Sequence, residues 1–516
     1  MSAVALELRF DAPPGARVVT AMLARMKHRG RDASGAWSDG AAALGLAATW
    51  TTPEDVGEAA PRVGSSGIVL ALDGRLDDRA GLARALSVPD EGPDAALVLR
   101  AVERWWAEAP RHLVGDFAFV AWDPRERRGL LVRDRVGQRP LFYAAHGRGL
   151  RAASESRALF VDDLIPIRPD LDQLAFSLSE EYSETGATLL EGVRAVAPGA
   201  VVELGPRSAI EHRYWDPIEI ETVPRSRDDA VDALEDALTT AVRARMRRRG
   251  GLGVFVSGGL DSCLVAALAT ELSDPGRGKP LLLTARFPDL ACDESPFTAR
   301  LARHLGAELA SVEATDLDDP ARYAPPPHED LQVDAFNNLY AELGGVALAR
   351  GTDVILDGWG SDELQWCTGR ELEDALRRGE LGESARRAGL FETPLGRGAW
   401  RRLASAGVRA WLPAAARHKL ADLRSAAPLP DWLTPDARRR IAAQREARDV
   451  RYAELEARSR SQAVIVQGLV ESSQSPCGSS QRLLAAAYAG FDLREPFADV
   501  RVVELLLSIP PSLRTD

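Results

Sequence analysis

From the N-terminus to about residue 205, short apolar runs alternate with turn chemistry. The stretch GDFAFVAWDPRERRGLLVRDRVGQRPLFYAA (Gly115 to Ala145) is interrupted at Asp123-Pro124 and Val136-Gly137, the punctuation that separates strands. This pattern predicts strands near Phe117–Trp122, Leu130–Arg133 and Leu141–Ala144, and another within PGAVVELG (Pro198 to Gly205). Pro217 and Pro224 bracket a short polar connection, where a domain boundary is expected around Trp215 to Arg227. The period then changes. SRDDAVDALEDALTTAVRARMR (Ser226 to Arg247) has helical spacing, with Ser226 placed as its N-cap. Leu252–Val256 reads as a strand, Ser262 to about Leu272 as a small-residue helix, and PLLLTARF (Pro280 to Phe287) as a second buried strand. SPFTARLARHLG is a further helix, and TDVILDGWG (Thr352 to Gly360) a strand running into a loop. Strands alternating with helices imply a parallel, doubly wound sheet, and such sheets bind ligands at the carboxyl ends of their strands. Between about Cys367 and Val470 the chain is helical and rich in Arg and Ala, broken by Pro394, Pro413, Pro428, Pro430 and Pro435. Solvated helix faces are the ordinary reading of that segment, and a substrate groove the functional one.

Composition narrows the function classes. A chain of 516 residues has room for two or three domains. A net charge of −12 and a pI near 5.3 argue against a broad nucleic-acid-binding face. Cys263, Cys292, Cys367 and Cys477 are scattered without a CxxC pair, which points away from a zinc site or disulfide framework and towards a reducing compartment. Glu7 and Arg9 interrupt MSAVALELRF where a secretory signal needs an apolar run. No apolar stretch reaches the roughly eighteen residues of a membrane span. A cytoplasmic protein without nucleic-acid or membrane partners is the expectation.

The candidate chemistry centres on VFVSGGLDSC (Val254 to Cys263). Two glycines at a strand end let backbone approach an anion, and the amides opening the next helix point at it. Ser257 and Ser262 add hydroxyl donors. A Walker A loop needs Lys before its Ser or Thr, and Asp261 stands there instead. In LDGWGSDELQW (Leu356 to Trp366) the adjacent carboxylates Asp362 and Glu363 follow a Gly-spaced loop. They suit Mg²⁺, which takes a few protein oxygens plus phosphates. Asp293 and Glu294 are read as helix caps, with no chemistry assigned.

The string S-G-G-L-D-S resembles the pyrophosphate loop of ATP pyrophosphatases, enzymes that cleave ATP between its α and β phosphates and transfer AMP to a carboxylate. In wider context the chain resembles the asparagine synthetase family. HRGRDASG (His28 to Gly35), LDGRLDD (Leu72 to Asp78), GDFAFVAWD, RDRVGQRPLFY and ASESRAL (Ala153 to Leu159) are similar to that family's glutamine-hydrolysing domain. SGGLDS, the GxGxDE loop and DLREPFADVRVVELLLSIP (Asp492 to Pro510) are similar to its synthetase domain. The resemblance implies an α/β protein. Residues 1–215 would form an Ntn-type αββα glutaminase-like sandwich, and residues 226–516 a doubly wound ATP-pyrophosphatase domain with a helical insertion at about 367–470. It implies ATP and Mg²⁺ as cofactors. Ser257, Gly258, Gly259, Leu260, Asp261, Ser262, Leu283 and Gly358 would bind nucleotide, Asp261 and Asp362 the metal, and Asp261, Asp362 and Glu363 would be catalytic.

The departures carry as much as the matches. A working glutaminase of this family uses Cys at position 2 as an N-terminal nucleophile; here Ser2 stands there. The family's oxyanion Asn-Gly pair reads Asp73-Gly74, and a carboxylate repels a developing oxyanion. Glutamine hydrolysis is therefore not expected. Asparagine synthetases place Glu between the loop glycines and β-lactam synthetases place Tyr; this chain has Trp359, a large flat surface suited to a peptide. Among these relatives the chain looks most like the lasso-peptide cyclases, glutaminase-dead relatives that adenylate an Asp or Glu side chain of a precursor peptide and close a macrolactam ring on its α-amine. That implies a precursor peptide substrate, with a leader-binding protein and a leader peptidase as partners. An ammonia-using asparagine synthetase, a β-lactam synthetase-like enzyme and a non-catalytic scaffold are the alternatives. The family continues with a Lys-bearing K-x-x-L-R segment, whereas this sequence ends at PPSLRTD, and Lys279 and Lys419 do not occupy that position. A longer chain, or another residue in that role, is implied.

Overall fold

The computed structural model describes residues 1–11, 15–147, 149–179, 186–206, 208–314, 337–365, 368–390, 397–412, 432–474 and 479–514. The first part holds two six-stranded antiparallel sheets. Its strands are β1 (Ala3–Arg9), β2 (Ala33–Ser38), β3 (Ala42–Ala48), β4 (Arg62–Val63), β5 (Val69–Leu76), β6 (Gly115–Asp123), β7 (Arg128–Arg133), β8 (Phe142–His146), β9 (Gly149–Ala153), β10 (Val193–Ala195), β11 (Ala200–Gly205) and β12 (Ser208–Arg213). One sheet runs β10-β8-β9-β1-β3-β2 and the other β12-β11-β7-β6-β5-β4.

Both faces of each sheet are buried, so the central strands are apolar at consecutive positions. In β1, Val4, Leu6 and Leu8 meet the opposite sheet, while Ala3 and Ala5 lie under the helix Ala16–Arg25. In β6, Val120 and Trp122 face inward, and Phe117 and Phe119 meet the helices Arg79–Leu86 and Asp94–Trp105. The layering is helix, sheet, sheet, helix. The expected strands at 117–122, 130–133, 141–144 and 198–205 all fall in or beside β6, β7, β8 and β11.

The second part is built on five parallel strands, adding β13 (Gly251–Phe255), β14 (Leu281–Arg286), β15 (Leu309–Glu313), β16 (Thr352–Leu356) and β17 (Asp492–Arg494). Their order is β15-β14-β13-β16-β17. The chain progresses in one direction from β13 and then switches to its other side with β16, so the crevice of a doubly wound sheet opens between those two strands. One face is covered by helices Arg227–Arg245 and Leu260–Glu271, the other by helices Asn337–Leu348 and Ser479–Ala489. Ser226 does cap its helix, its Oγ accepting from the Asp229 N–H at 3.1 Å.

The Arg- and Ala-rich segment is helical where described, over Glu371–Arg377, Leu381–Leu390, Arg397–Trp411, Pro435–Arg458 and Arg460–Gln474. The last of these is not a solvated face: Ile465, Val466 and Leu469 join the core of the parallel sheet. Pro394, Pro413, Pro428, Pro430, Cys367 and Lys419 lie outside the described residues.

The two parts meet through buried charge. Arg245 reaches Asp116 at 3.0 Å, Asp77 at 3.1 Å and Asp499 at 2.5 Å, and Arg139 donates to Asp492 at 2.8 Å. Guanidinium groups carry such sites because their planar fork satisfies several carboxylates at once.

Candidate active site

The loop after β13 and the loop after β16 face each other across the crevice. Gly258 has φ +89, and a Cβ there would lie 3.1 Å from Glu294 Cβ and 3.2 Å from Phe297 Cβ, so only glycine makes this turn without strain. Gly259 is the N-cap of helix Leu260–Glu271 and supplies no side-chain cap. The first-turn amides are left to an incoming anion. Ser262 Oγ accepts from the Ser257 N–H at 3.1 Å and lies 3.1 Å from Ser257 Oγ. That clamp shapes the loop before any ligand arrives.

Gly358 fits the second loop onto the first. A Cβ at that position would stand 2.7 Å from the Ser262 nitrogen and 2.8 Å from its Cα. Beyond it, Ser361 Oγ donates to Asp261 Oδ1 at 2.6 Å, and Gln365 Nε2 donates to Ser361 Oγ at 2.5 Å. The structure therefore brings Asp261 to the start of the short helix Ser361–Gln365, which carries Asp362 and Glu363. Asp362 is exposed, and Glu363 is half-buried with Oε2 unpartnered. Burial pushes the Glu363 carboxyl up. Among the described residues no group of three or more His, Cys, Asp or Glu side chains gathers as a metal site. Asp261 and Asp362, in the first turns of their helices, are oxygen donors of the kind that Mg²⁺ takes beside water and phosphate oxygens.

A cavity of about 470 Å³ opens from these loops. Ser257, Ser262 and Leu283 line it, as does Thr284 of β14. Leu260 does not; its side chain is 88 % exposed. Glu294 also lines the cavity and gives its helix no side-chain cap, which corrects its reading as a capping residue. Asp293 alone makes the local bonds, accepting from Ser295 Oγ at 2.8 Å and the Phe287 N–H at 3.1 Å.

The inner end holds residues that the motifs did not single out. Asp357, Tyr340 and Arg482 line it together with Trp359. The Arg482 guanidinium lies 4.0 Å from the centroid of the Trp359 ring and bonds Glu495 Oε1. Burial raises the Glu495 carboxyl to about 7 despite Arg482. It raises Asp357 in the same direction. Arg482 and Tyr340 come from helices with no recognisable motif. Glu495 was present within the quoted R-E-P-F string.

The other expected site, around Ser2, is filled. The Ser2 N–H donates to Asp73 Oδ1 at 3.0 Å, and Ser2 Oγ accepts from the Thr49 N–H at 3.0 Å. Arg29 spans the space, reaching Asp73 Oδ2 at 3.3 Å and Glu155 Oε1 at 2.5 Å. Arg29, Asp73 and Glu155 are each at most 3 % exposed. Tyr488 of the second part stacks on His28 with ring centroids 3.9 Å apart. The position that should donate to an oxyanion is held by an acceptor already engaged on both oxygens. Purified protein should accordingly release no glutamate from glutamine at neutral pH, and Ser2→Cys alone should add none. Clear release by the unmodified protein would show that this ion pair opens in solution.

An αββα sandwich of the amidotransferase type, joined to a parallel sheet with an anion loop at its switch point, defines a two-domain amidotransferase–synthetase architecture. The chain belongs to the asparagine synthase family. The family described as "Asparagine synthase" matches residues 233–516, and "Glutamine amidotransferase domain" matches residues 1–215. Among curated proteins, the chain is 27 % identical to amidase chry2 of Gibberella zeae, over 69 % of this chain and 56 % of that one. It is 31 % identical to asparagine synthetase [glutamine-hydrolyzing] 3 of Bacillus subtilis, over 34 % of this chain and 29 % of that one. It is 36 % identical to the carboxyethyl-arginine beta-lactam-synthase of Streptomyces clavuligerus, over 36 % and 34 % respectively. The chain thus spans from under a third to just over half of the length of these relatives. No helix among the described residues is long and apolar enough to cross a membrane.

Proposed function

We propose that the protein is an ATP-dependent amide ligase, forming AMP and pyrophosphate, that adenylates a carboxylate and joins it to an amine without glutamine-derived ammonia. The observation that carries this reading is the locking of the SGGLDS loop onto the GWGSDE loop at the mouth of the cavity, through Gly358 and the Ser361–Asp261 bond. Loop amides and the Ser257 and Ser262 hydroxyls would hold the leaving pyrophosphate. Asp261 and Asp362 would hold Mg²⁺, which supplies charge neutralisation on the phosphates. The buried wall of Phe255, Leu283, Leu339 and Leu343 would keep water from the acyl-adenylate, which hydrolyses readily. The Arg29–Asp73 pair supports independence from glutamine.

The substrate reading is finer. Trp359 places an aromatic face, backed by Arg482, where the family's aspartate-handling Glu would be. This favours a peptide over a free amino acid, and within that class the lasso-type closure of a side-chain carboxylate onto the peptide's own α-amine. A precursor peptide, a leader-binding protein and a leader peptidase are the partners proposed on this reading. The likeness to a β-lactam synthase favours a second one, closure of a small ring within a modified amino acid.

Purified protein, ATP and Mg²⁺ should release pyrophosphate when given a leaderless peptide carrying Asp or Glu several residues from its N-terminus. The product should weigh one water less than the peptide. Acetylating the peptide's α-amine should abolish ring closure while sparing pyrophosphate release. Asparagine formed from aspartate and ammonia at a comparable rate would sink the peptide reading.

A further inference from the structure

Two residues before Trp359 the cavity presents a carboxylate with an unused oxygen. Asp357 is 8 % exposed, lines the cavity, and its Oδ2 has no hydrogen-bond partner. Its backbone is fixed, the N–H donating to the Arg494 carbonyl at 3.0 Å, so the side chain is held at the end of β16. Arg482 does not satisfy it. Nη1 of Arg482 stands 3.9 Å from Asp357 Oδ2, while Nη2 is committed to Glu495. Arg482, the Tyr340 hydroxyl and the Gly358 and Trp359 N–H groups all favour the charged carboxylate, yet none of them is hydrogen-bonded to Oδ2. Glu495 is fully buried beside β17, Glu363 faces Arg482 from the helix Ser361–Gln365, and Tyr340 offers a neutral hydroxyl held in its protonated form by the Asp357 charge and by burial. One guanidinium thus serves three carboxylates. A buried carboxylate oxygen without a partner is costly, and a site with this sign of charge selects a cation.

Position makes that cation specific. Asp357 precedes Gly358, whose Cα packs on the Ser262 backbone, so a group held at Oδ2 sits beside the loop that would take the pyrophosphate. We propose that Asp357 Oδ2 is the docking point for the primary amine that attacks the activated carboxylate, binding its ammonium form and taking its proton. This rests on the ligase reading above. Asp357 accepts one proton from the ammonium, freeing the nitrogen lone pair to form the C–N bond. The carbon–oxygen bond to AMP breaks with its electron pair passing to the phosphate oxygen, and the second nitrogen proton leaves to solvent. Burial raises the Asp357 carboxyl, which suits it to accept a proton from an amine. Asp357 supplies the carboxylate that Trp359 lacks.

Two measurements separate this proposal from the reading beneath it. Glycinamide, a small primary amine that stands for a peptide N-terminus, should bind the full chain saturably by saturation-transfer NMR. Asp357→Asn should weaken that binding about tenfold or more, and Asp357→Glu should restore part of it. With the leaderless peptide, Asp357→Asn should leave peptide-dependent exchange of pyrophosphate into ATP within about threefold, yet slow amide formation about a hundredfold. Hydroxylamine, mostly uncharged at neutral pH, should rescue capture of the acyl group in that variant. Equal glycinamide binding by the wild type and Asp357→Asn, or no saturable binding at all, overturns the proposal. So does an equal loss of exchange and amide formation in a folded Asp357→Asn. If the wild type shows no peptide-dependent exchange, the ligase reading falls, and the glycinamide result still decides the amine site.

Discussion

Replacing Asp261 or Asp362 by Asn should lower substrate-dependent pyrophosphate release about a hundredfold or more, the scale for removing a major charge stabiliser. Each change deletes a negative charge at nearly constant volume. Asn at 261 can still accept the Ser361 hydroxyl bond, now 2.6 Å, so the two loops should stay locked. Asp362 is exposed, and its replacement should leave packing untouched. Thermal melting of both variants should match the parent, which isolates the lost charge as the cause. Release measured across a range of Mg²⁺ concentrations reads the effect directly. Near-normal rates in both variants would place the metal on other residues.

Arg245→Leu should be the most damaging single change to stability. Arg245 is 1 % exposed and ties Asp77 and Asp116 of the first part to Asp499 of the second. Leucine fills some of the volume but strands three buried carboxylates. Arg75 still reaches Asp77 and Asp116, and Arg501 still reaches Asp499, so part of the charge stays compensated. Breaking one partner of a buried pair costs about 3–5 kcal/mol. On a chain of this size that is a fall in melting temperature of about 3–5 °C. Differential scanning calorimetry should show the fall, together with a separation of the two domains' transitions. An unchanged melting curve would mean that water already reaches these carboxylates.

Much of the local structure was legible in the chain. Ser226 followed by helical spacing marked a helix that is capped as expected, and the runs at 252–256, 280–287 and 352–360 lie on the parallel strands. Elements without a strong period were not legible. β17 is three residues long and exists because β16 offers it an edge. Helix Asn337–Leu348 carries apolar residues on most sides, including Leu339, Leu343 and Ala347 in the core, so its burial comes from the sheet beneath it more than from amphipathic spacing. Helix Arg460–Gln474 was read as surface because its neighbours are rich in Arg. It is core because Ile465, Val466 and Leu469 pack into the apolar cluster that also holds Val354 and Leu356 of β16.

The sequence by itself determined the chemistry that depends on neighbours in the chain. Backbone amides, two hydroxyls and a carboxylate within SGGLDS make an anion loop because a helix begins there, and Gly258 needs its left-handed φ whatever surrounds it. The exchange of Cys for Ser2 and of Asn for Asp73 was equally visible, since each removes a required functional group. Only the tertiary structure decided what those groups meet. Arg29 closes the first site because the fold brings Asp73 and Glu155 to opposite sides of one guanidinium. Asp357, Tyr340 and Arg482 reach the cavity wall, and Glu495 bonds Arg482, from four separate segments. Burial, charge sharing and an unpartnered oxygen are properties of that assembly, and no residue carries them until the strands and helices have closed around it.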